Sequence, residues 1–430
     1  MEVHIMKSGI LKKVTAMTLA SAMALTSLTA CSGGSDPGSD TSAPAQSGDS
    51  QDASEAAQDG SEAADAGTSG GTDGGTIMWL SNLSSGAQYE AALAYGEAVA
   101  NAFGFDFAVV YADSFNDPNG NLTAVQNGMT SDIVGIVASQ DGGIQNILDE
   151  YPDLYVAGYN TDMNAIYGNE ESGGGTAAAV MDYENFLGTI ADGYYDGAKA
   201  GEQYAQAVID KGYKRVAVIG FPSYAYPTTP VADAAFRETI EEYNQTADEP
   251  IEVVGDMKVL EFAPLEESWF LEEGNSDLDA IVAICAGTTF VYPTMKSAQA
   301  NGTCSADTKL ITSGFDSEES IMDDIGDDKA ISYLSISPVE DIGYAVALVA
   351  KAVKGELYSD YTANERIESI QFTIDSAEDI AAVREKSLLC TVDVNNALIT
   401  PQEWVDVASY ADLKALIQSD QSSMDALLNK

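Results

Sequence analysis

The chain has 430 residues, with 19 Lys and Arg against 68 Asp and Glu and a formal net charge of −49. That balance excludes nucleic-acid binding, which depends on basic side chains neutralising phosphates. The only histidine is His4, inside the leader described next, which also excludes Ser-His-Asp and Cys-His catalysis and histidine-ligated metal sites.

The leader begins with Lys7, Lys12 and Lys13, followed over residues 14–28 by an apolar stretch interrupted only by Thr and Ser. The stretch is too short to span a bilayer and ends in small residues, so it predicts a secretory signal over 1–30. Leu28, Thr29, Ala30 and Cys31 together resemble a bacterial lipobox. The resemblance implies cleavage before Cys31 and a lipid-modified N-terminus; the alternative is plain secretion with an incidental cysteine. The expected location is the extracytoplasmic face of a bacterial cell membrane, reached through the lipid anchor only. Each buried acyl methylene would contribute about 0.8 kcal/mol. Residues 32–75 are Ser, Gly, Ala, Asp, Thr, Gln and Glu with two prolines. They cannot bury enough apolar surface to offset ordering entropy, which predicts a disordered acidic linker over 31–75 with a reach of roughly 35–40 Å.

From residue 76 onward, short β-rich runs alternate with helical stretches, the pattern of a parallel α/β architecture. Strands are predicted over 76–80, 105–112, 132–138 and 154–159. After a long helical interval they follow over 215–221, 251–255, 280–285, 309–315 and 331–337. Apolar runs such as AIVAIC at 280–285 suit a sheet covered on both faces. Beyond Ser337, Val339, Ile342, Val346, Val349 and Val353 repeat on one helical face, and Gly355 suits the helix end. Two such sets of units predict two doubly wound lobes, one from 76–190 plus 338–365 and the other from 191–337 plus part of 366–430. The tail carries an extended run over 367–374 and a helical stretch over 401–428. Cys285, Cys304 and Cys390 lack CxxC spacing, so a zinc cluster is not expected. Cys285 and Cys304 could form a disulfide or remain buried thiols.

Several segments then resemble, in order, the type I periplasmic solute-binding proteins, the ribose/galactose-binding group that feeds ABC importers. They are TIMWLS at 76–81 with Tyr89 and Gly96, DIVGIV at 132–137, DGAKAG at 196–201 and KRVAVIG at 214–220. DAIVAI at 279–284, SGFD at 313–316 and SPVEDIG at 337–343 complete the set. The resemblance covers 76 to about 356. It implies two lobes joined by a multi-strand hinge that close on one small molecule, with no cofactor and no catalysis, and a closed form presented to an ABC permease. A monomer is expected.

Ligands of doubly wound sheets sit beyond the carboxyl ends of the strands. Those ends carry Asn82, Ser84, Gln140, Asn160, Asp162, Tyr224, Thr288, Phe315, Asp316 and Ser337. Asp316 matches the family's ligand-contacting Phe-Asp pair, and a carboxylate can accept two hydroxyls; the alternative is an N-cap. Tyr89 falls where the family places a ring for stacking on a sugar, and core packing is the alternative. Other polar positions depart from the family. CAGTT follows Ile284 where Asn-Asp is usual, no arginine occurs between Gly220 and Arg237, and Asn160 to Asp162 replaces Asp-Arg. Ser337 stands where glutamine is frequent. These departures argue against ribose itself and leave another carbohydrate, a nucleoside or a less polar solute. A tethered sensor presenting ligand to a receptor is a second class, and a carboxylate-based glycosidase a remote third.

Overall fold

The computed structural model describes residues 74–112, 117–167, 183–191, 197–223, 226–314, 319–418 and 423–430. The leader, Cys31 and nearly all of the linker lie outside the described residues. The strands are β1 (Thr76–Ser81), β2 (Asp106–Tyr111), β3 (Ile133–Ala138), β4 (Tyr155–Tyr159), β5 (Phe186–Ile190), β6 (Arg215–Gly220), β7 (Glu252–Val253), β8 (Lys258–Val259), β9 (Ala280–Ala286), β10 (Lys309–Ser313), β11 (Ile331–Ile336), β12 (Glu365–Ile367) and β13 (Phe372–Ile374). One sheet runs β12-β5-β4-β3-β1-β2, parallel throughout. The other runs β13-β11-β10-β9-β6-β7, with β8 also on β6, and only β13 is antiparallel. In both sheets the strand order reverses beside the first strand, between β1 and β3 and between β6 and β9. Such switch points leave a crevice where neighbouring connections depart to opposite faces.

The central strands are apolar on both sides because both faces are covered. On β1, Ile77 and Trp79 join one core cluster while Met78 and Leu80 join another. The sequence passes over β5 because Gly188 interrupts its apolar run. Gly188 has φ 118°, and a Cβ there would lie 2.5 Å from the Glu365 carbonyl oxygen. Glycine is what allows β12 to pair with β5.

The chain crosses between the sheets after β5, after β11 and again between β12 and β13. The later crossings are bonded to each other. Ser369 Oγ donates to the Asp341 carboxylate, and Gln371 Nε2 donates to Ser337 Oγ at 3.0 Å. The helix Ile342–Val353, expected to be amphipathic, is buried nearly all round. It packs against β3, β4 and β5 on one side, and the C-terminal tail covers the other. Gly343 makes room for the Trp404 indole, which a Cβ would meet at 2.4 Å. Trp404 Nε1 donates to Tyr95 Oη at 2.8 Å, Tyr95 donates to the Ile399 carbonyl, and Tyr344 and Tyr410 share a buried 2.8 Å hydrogen bond.

The tail expected as one helical stretch over 401–428 is three helices, Pro401–Asp406, Tyr410–Gln418 and Met424–Asn429, preceded by Ala377–Lys386 and the short Leu388–Thr391. Arg384 reaches Asp323, beside β11 of the second lobe, at 2.6 Å. Leu388–Thr391 and Pro401–Asp406 instead pack on the first-lobe helix Ala87–Ala102. The tail therefore touches both lobes. Cys304 is a free, buried thiol, so the Cys285–Cys304 disulfide alternative is set aside; burial also raises its pKa. Among the described residues no helix is long and apolar enough to cross a membrane.

Candidate functional site: a cleft between the two sheets

The residues that follow β1, β3 and β4 and those at the ends of β6, β10 and β11 line one cleft of about 330 Å³. That is the lower end of the range for small-molecule sites. The first lobe's wall is built by short local bonds. Ser81 Oγ donates to the Leu83 carbonyl at 2.7 Å and accepts the Leu83 N–H at 3.1 Å, which turns the chain and presents Asn82. Gln140 Nε2 donates to the Ser81 carbonyl at 2.9 Å, tying the end of β3 to the end of β1. Beneath them Trp79 Nε1 donates to Ser139 Oγ at 2.8 Å.

Past β4, Asn160 adopts φ 55°, a left-handed conformation that asparagine tolerates better than most residues. Its Oδ1 is buried without a hydrogen-bond partner. A buried acceptor left unpaired costs about 1–3 kcal/mol. The next turn is held by Thr189 Oγ1, which donates to the Thr161 carbonyl at 2.8 Å. Asn164 Oδ1 accepts from Arg366 Nη2 at 3.2 Å.

The second lobe's wall is aromatic and hydroxylic. Phe221, 4% exposed, packs at 5.0 Å on Phe262, 5.1 Å on Phe290 and 5.3 Å on Tyr226. Thr312 Oγ1 accepts the Gly287 N–H at 3.0 Å and donates to the Ala283 carbonyl at 3.1 Å, joining β9 to β10 below the cleft. Ser313, Ser335 and Ser337 line the cleft from β10 and β11. The helices Ala198–Asp210 and Thr228–Asn244 both begin at the cleft, capped by Gly197 and Pro227 without a side-chain hydrogen bond. The first-turn N–H groups of Ala198–Asp210 suit an oxygen acceptor, whereas in Thr228–Asn244 the Thr229 N–H is given to the Tyr226 carbonyl at 3.1 Å and Pro230 has none.

Of the residues singled out in the sequence, Asn82, Gln140, Asn160, Asp162 and Ser337 line this cleft. Ser84, Tyr89 and Thr288 are not among its lining. Ser84 is exposed on the loop after β1. Tyr89 stacks on the Trp79 ring at 5.7 Å and 19°, so its ring is used in packing. Thr288 is buried in the short helix Gly287–Phe290. Tyr224, Phe315 and Asp316 lie outside the described residues. The cleft adds Asp141, Asn164, Tyr204, Thr228 and Gln371. Tyr204 sits mid-helix, where spacing reads as core, and Gln371 lies in the stretch between β12 and β13.

No known family's sequence profile matches the chain, and no curated protein matches it in sequence. Solved structures do resemble it. An ABC-transporter solute-binding protein from Burkholderia graminis C4D1M, in complex with D-arabinose, superposes with a TM-score of 0.50 at 12% identity, covering 71% of this chain and 96% of that one. A carbohydrate-transporter solute-binding protein from Agrobacterium radiobacter, also with D-arabinose, gives 0.49 at 14% identity over 70% and 95%. The transcription regulator CcpA of Lactococcus lactis gives 0.47 at 16% identity over 70% and 98%. The two largely parallel sheets, their matching strand orders and the first of these likenesses show that the chain has the two-lobed type I periplasmic-binding-protein fold.

Proposed function

We propose that this chain is an extracytoplasmic, lipid-anchored solute-binding protein that captures a small hydroxyl-bearing solute between its lobes and delivers it to an ABC importer. One observation carries the reading: strand ends from both sheets converge on a single cleft with an amide-rich wall on one side and an aromatic wall on the other. Amides and carboxylates meet ring hydroxyls, while aromatic faces cover the apolar face of a ring. The net charge of −49 disfavours the regulator role found among proteins of the same fold, since DNA binding needs a basic surface. The anchor rests on the resemblance of Leu28 to Cys31 to a lipobox. Cys31→Ala should move the protein from the membrane fraction to the soluble one; a variant still retained in detergent-free pellets would contradict the anchor.

The test of the binding role is a melting screen of the full chain in detergent against sugars, nucleosides and amino acids. A ligand at one hundred times its Kd should stabilise the fold by about 2.7 kcal/mol. Hits confined to amino acids or peptides would sink the hydroxyl-bearing assignment and leave the fold untouched.

A further inference from the structure

All the formal charge on the described cleft lining is negative, from Asp141 and Asp162; its other polar members are neutral amides and hydroxyls, with no Lys, Arg or His. Other segments do not alter this. Residues 113–116, 168–182, 192–196, 224–225, 315–318 and 419–422, outside the described residues, contain Asp and Glu but no Lys, Arg or His. Two cations lie close to the cleft residues without lining the cleft: Lys199 is paired with Glu368, and Arg366 donates to the neutral Asn164 Oδ1 at 3.2 Å and so keeps its charge, one against the two carboxylates.

We infer that the cleft selects its solute by charge: it admits uncharged or ammonium-bearing polyols, favours the ammonium form, and excludes phosphorylated and carboxylated ones. This deepens the proposed function and rests on it. A phosphate or carboxylate brings only acceptors and needs a cation or several N–H donors to replace its water. An ammonium group brings three donors and no acceptor. That matches the cleft's two carboxylates and the amide oxygens among its lining. The two helix N-termini at the cleft act in the opposite sense. Their effect is confined to the first turn, and it suits a hydroxyl oxygen as well as an anion. Two carboxylates in the same cleft oppose any full negative charge.

The test is calorimetry on the full chain in detergent with matched probes: glucose, glucosamine and glucose 6-phosphate; galactose, galactosamine and galactose 6-phosphate; ribose and ribose 5-phosphate; adenosine and AMP; then putrescine and citrate. Within any set that binds, the amino sugar should match or exceed the neutral sugar, and the phosphate should be weaker by about a hundredfold or more, the upper end expected for a charge left unpaired in a desolvated site. In Asp162→Asn the preference for the amine should shrink by about tenfold. A phosphorylated probe or citrate binding within tenfold of the best neutral probe overturns the inference. Binding of putrescine alone would uphold charge selection while removing the hydroxyl-bearing reading, and a panel with no hit at all contradicts both.

Discussion

The two walls of the cleft are made differently. The first lobe offers Asn82, Gln140, Asp141, Asn160, Asp162 and Asn164, held by short hydrogen bonds between neighbouring strand ends. The second offers Phe221 and Tyr226 over a cluster of rings, with serine and threonine hydroxyls beside them. One wall is polar and, apart from the buried Gln140, only partly buried. The other is continuous with the core, so it cannot be altered without loosening the lobe. Recognition and stability should therefore separate in the first lobe and travel together in the second.

Phe221→Ala breaks that contrast most directly. Emptying a buried phenylalanine site typically costs about 3–5 kcal/mol, so urea unfolding should shift strongly and ligand affinity should fall with it. A variant that binds poorly but unfolds normally would show the ring to be a recognition residue only. Asp162→Asn should give the opposite pattern. Its affinity for the best ligand should drop by about ten- to a hundredfold, with the unfolding midpoint little moved. The same measurement on Asp316→Asn tests the carboxylate that follows Gly314. Normal binding with a lowered melting temperature would make Asp316 a helix cap. Asn160→Gly is milder, since glycine keeps the left-handed backbone and only the amide is lost. Affinity should fall by about two- to tenfold, with stability held or slightly raised because a buried unpaired acceptor is removed.

Glu340 lies outside both walls and supplies the smallest effect. It follows the crossing from β11 and accepts the Leu398 N–H at 3.0 Å. Burial raises its carboxyl pKa, partly offset by that N–H and by Lys430. A raised carboxylate pKa means that the folded chain holds the proton more tightly than the unfolded one. Stability from this group therefore grows as pH falls through the folded pKa toward the unfolded value of about 4.3. Glu340→Gln should equal or exceed the native stability at pH 7 and lose that advantage in acid. Parallel unfolding curves at all pH values would contradict the assignment.

The strands were legible where apolar residues ran unbroken. The expected 76–80 and 280–285 correspond to β1 and β9 within one residue. β5 was hidden by Gly188, whose reason for being there is a strand from far along the chain. The helix Ile342–Val353 was legible as a helix, but its full burial was not. The residues that cover it, Trp404 and Tyr410, come from a tail whose destination is a matter of tertiary packing. The cleft divides in the same way. Asn82, Gln140, Asn160, Asp162 and Ser337 follow strands directly, so the rule that ligands sit at strand ends finds them. Tyr204 and Gln371 reach the same cleft from a helix interior and an inter-strand segment, where no local spacing marks them. Tyr89 could not be placed from sequence because a stacking ring and a core ring have the same local spacing; in the structure it stacks on Trp79.

The central claim is that the two walls act on one solute by closing on it. Small-angle scattering of the full chain in a contrast-matched detergent, first ligand-free and then saturated with the strongest hit from the melting screen, tests it most directly. The radius of gyration should fall on saturation and recover when the ligand is dialysed away. A saturated protein with unchanged scattering would mean that binding does not draw the lobes together, and the two-wall account would fail.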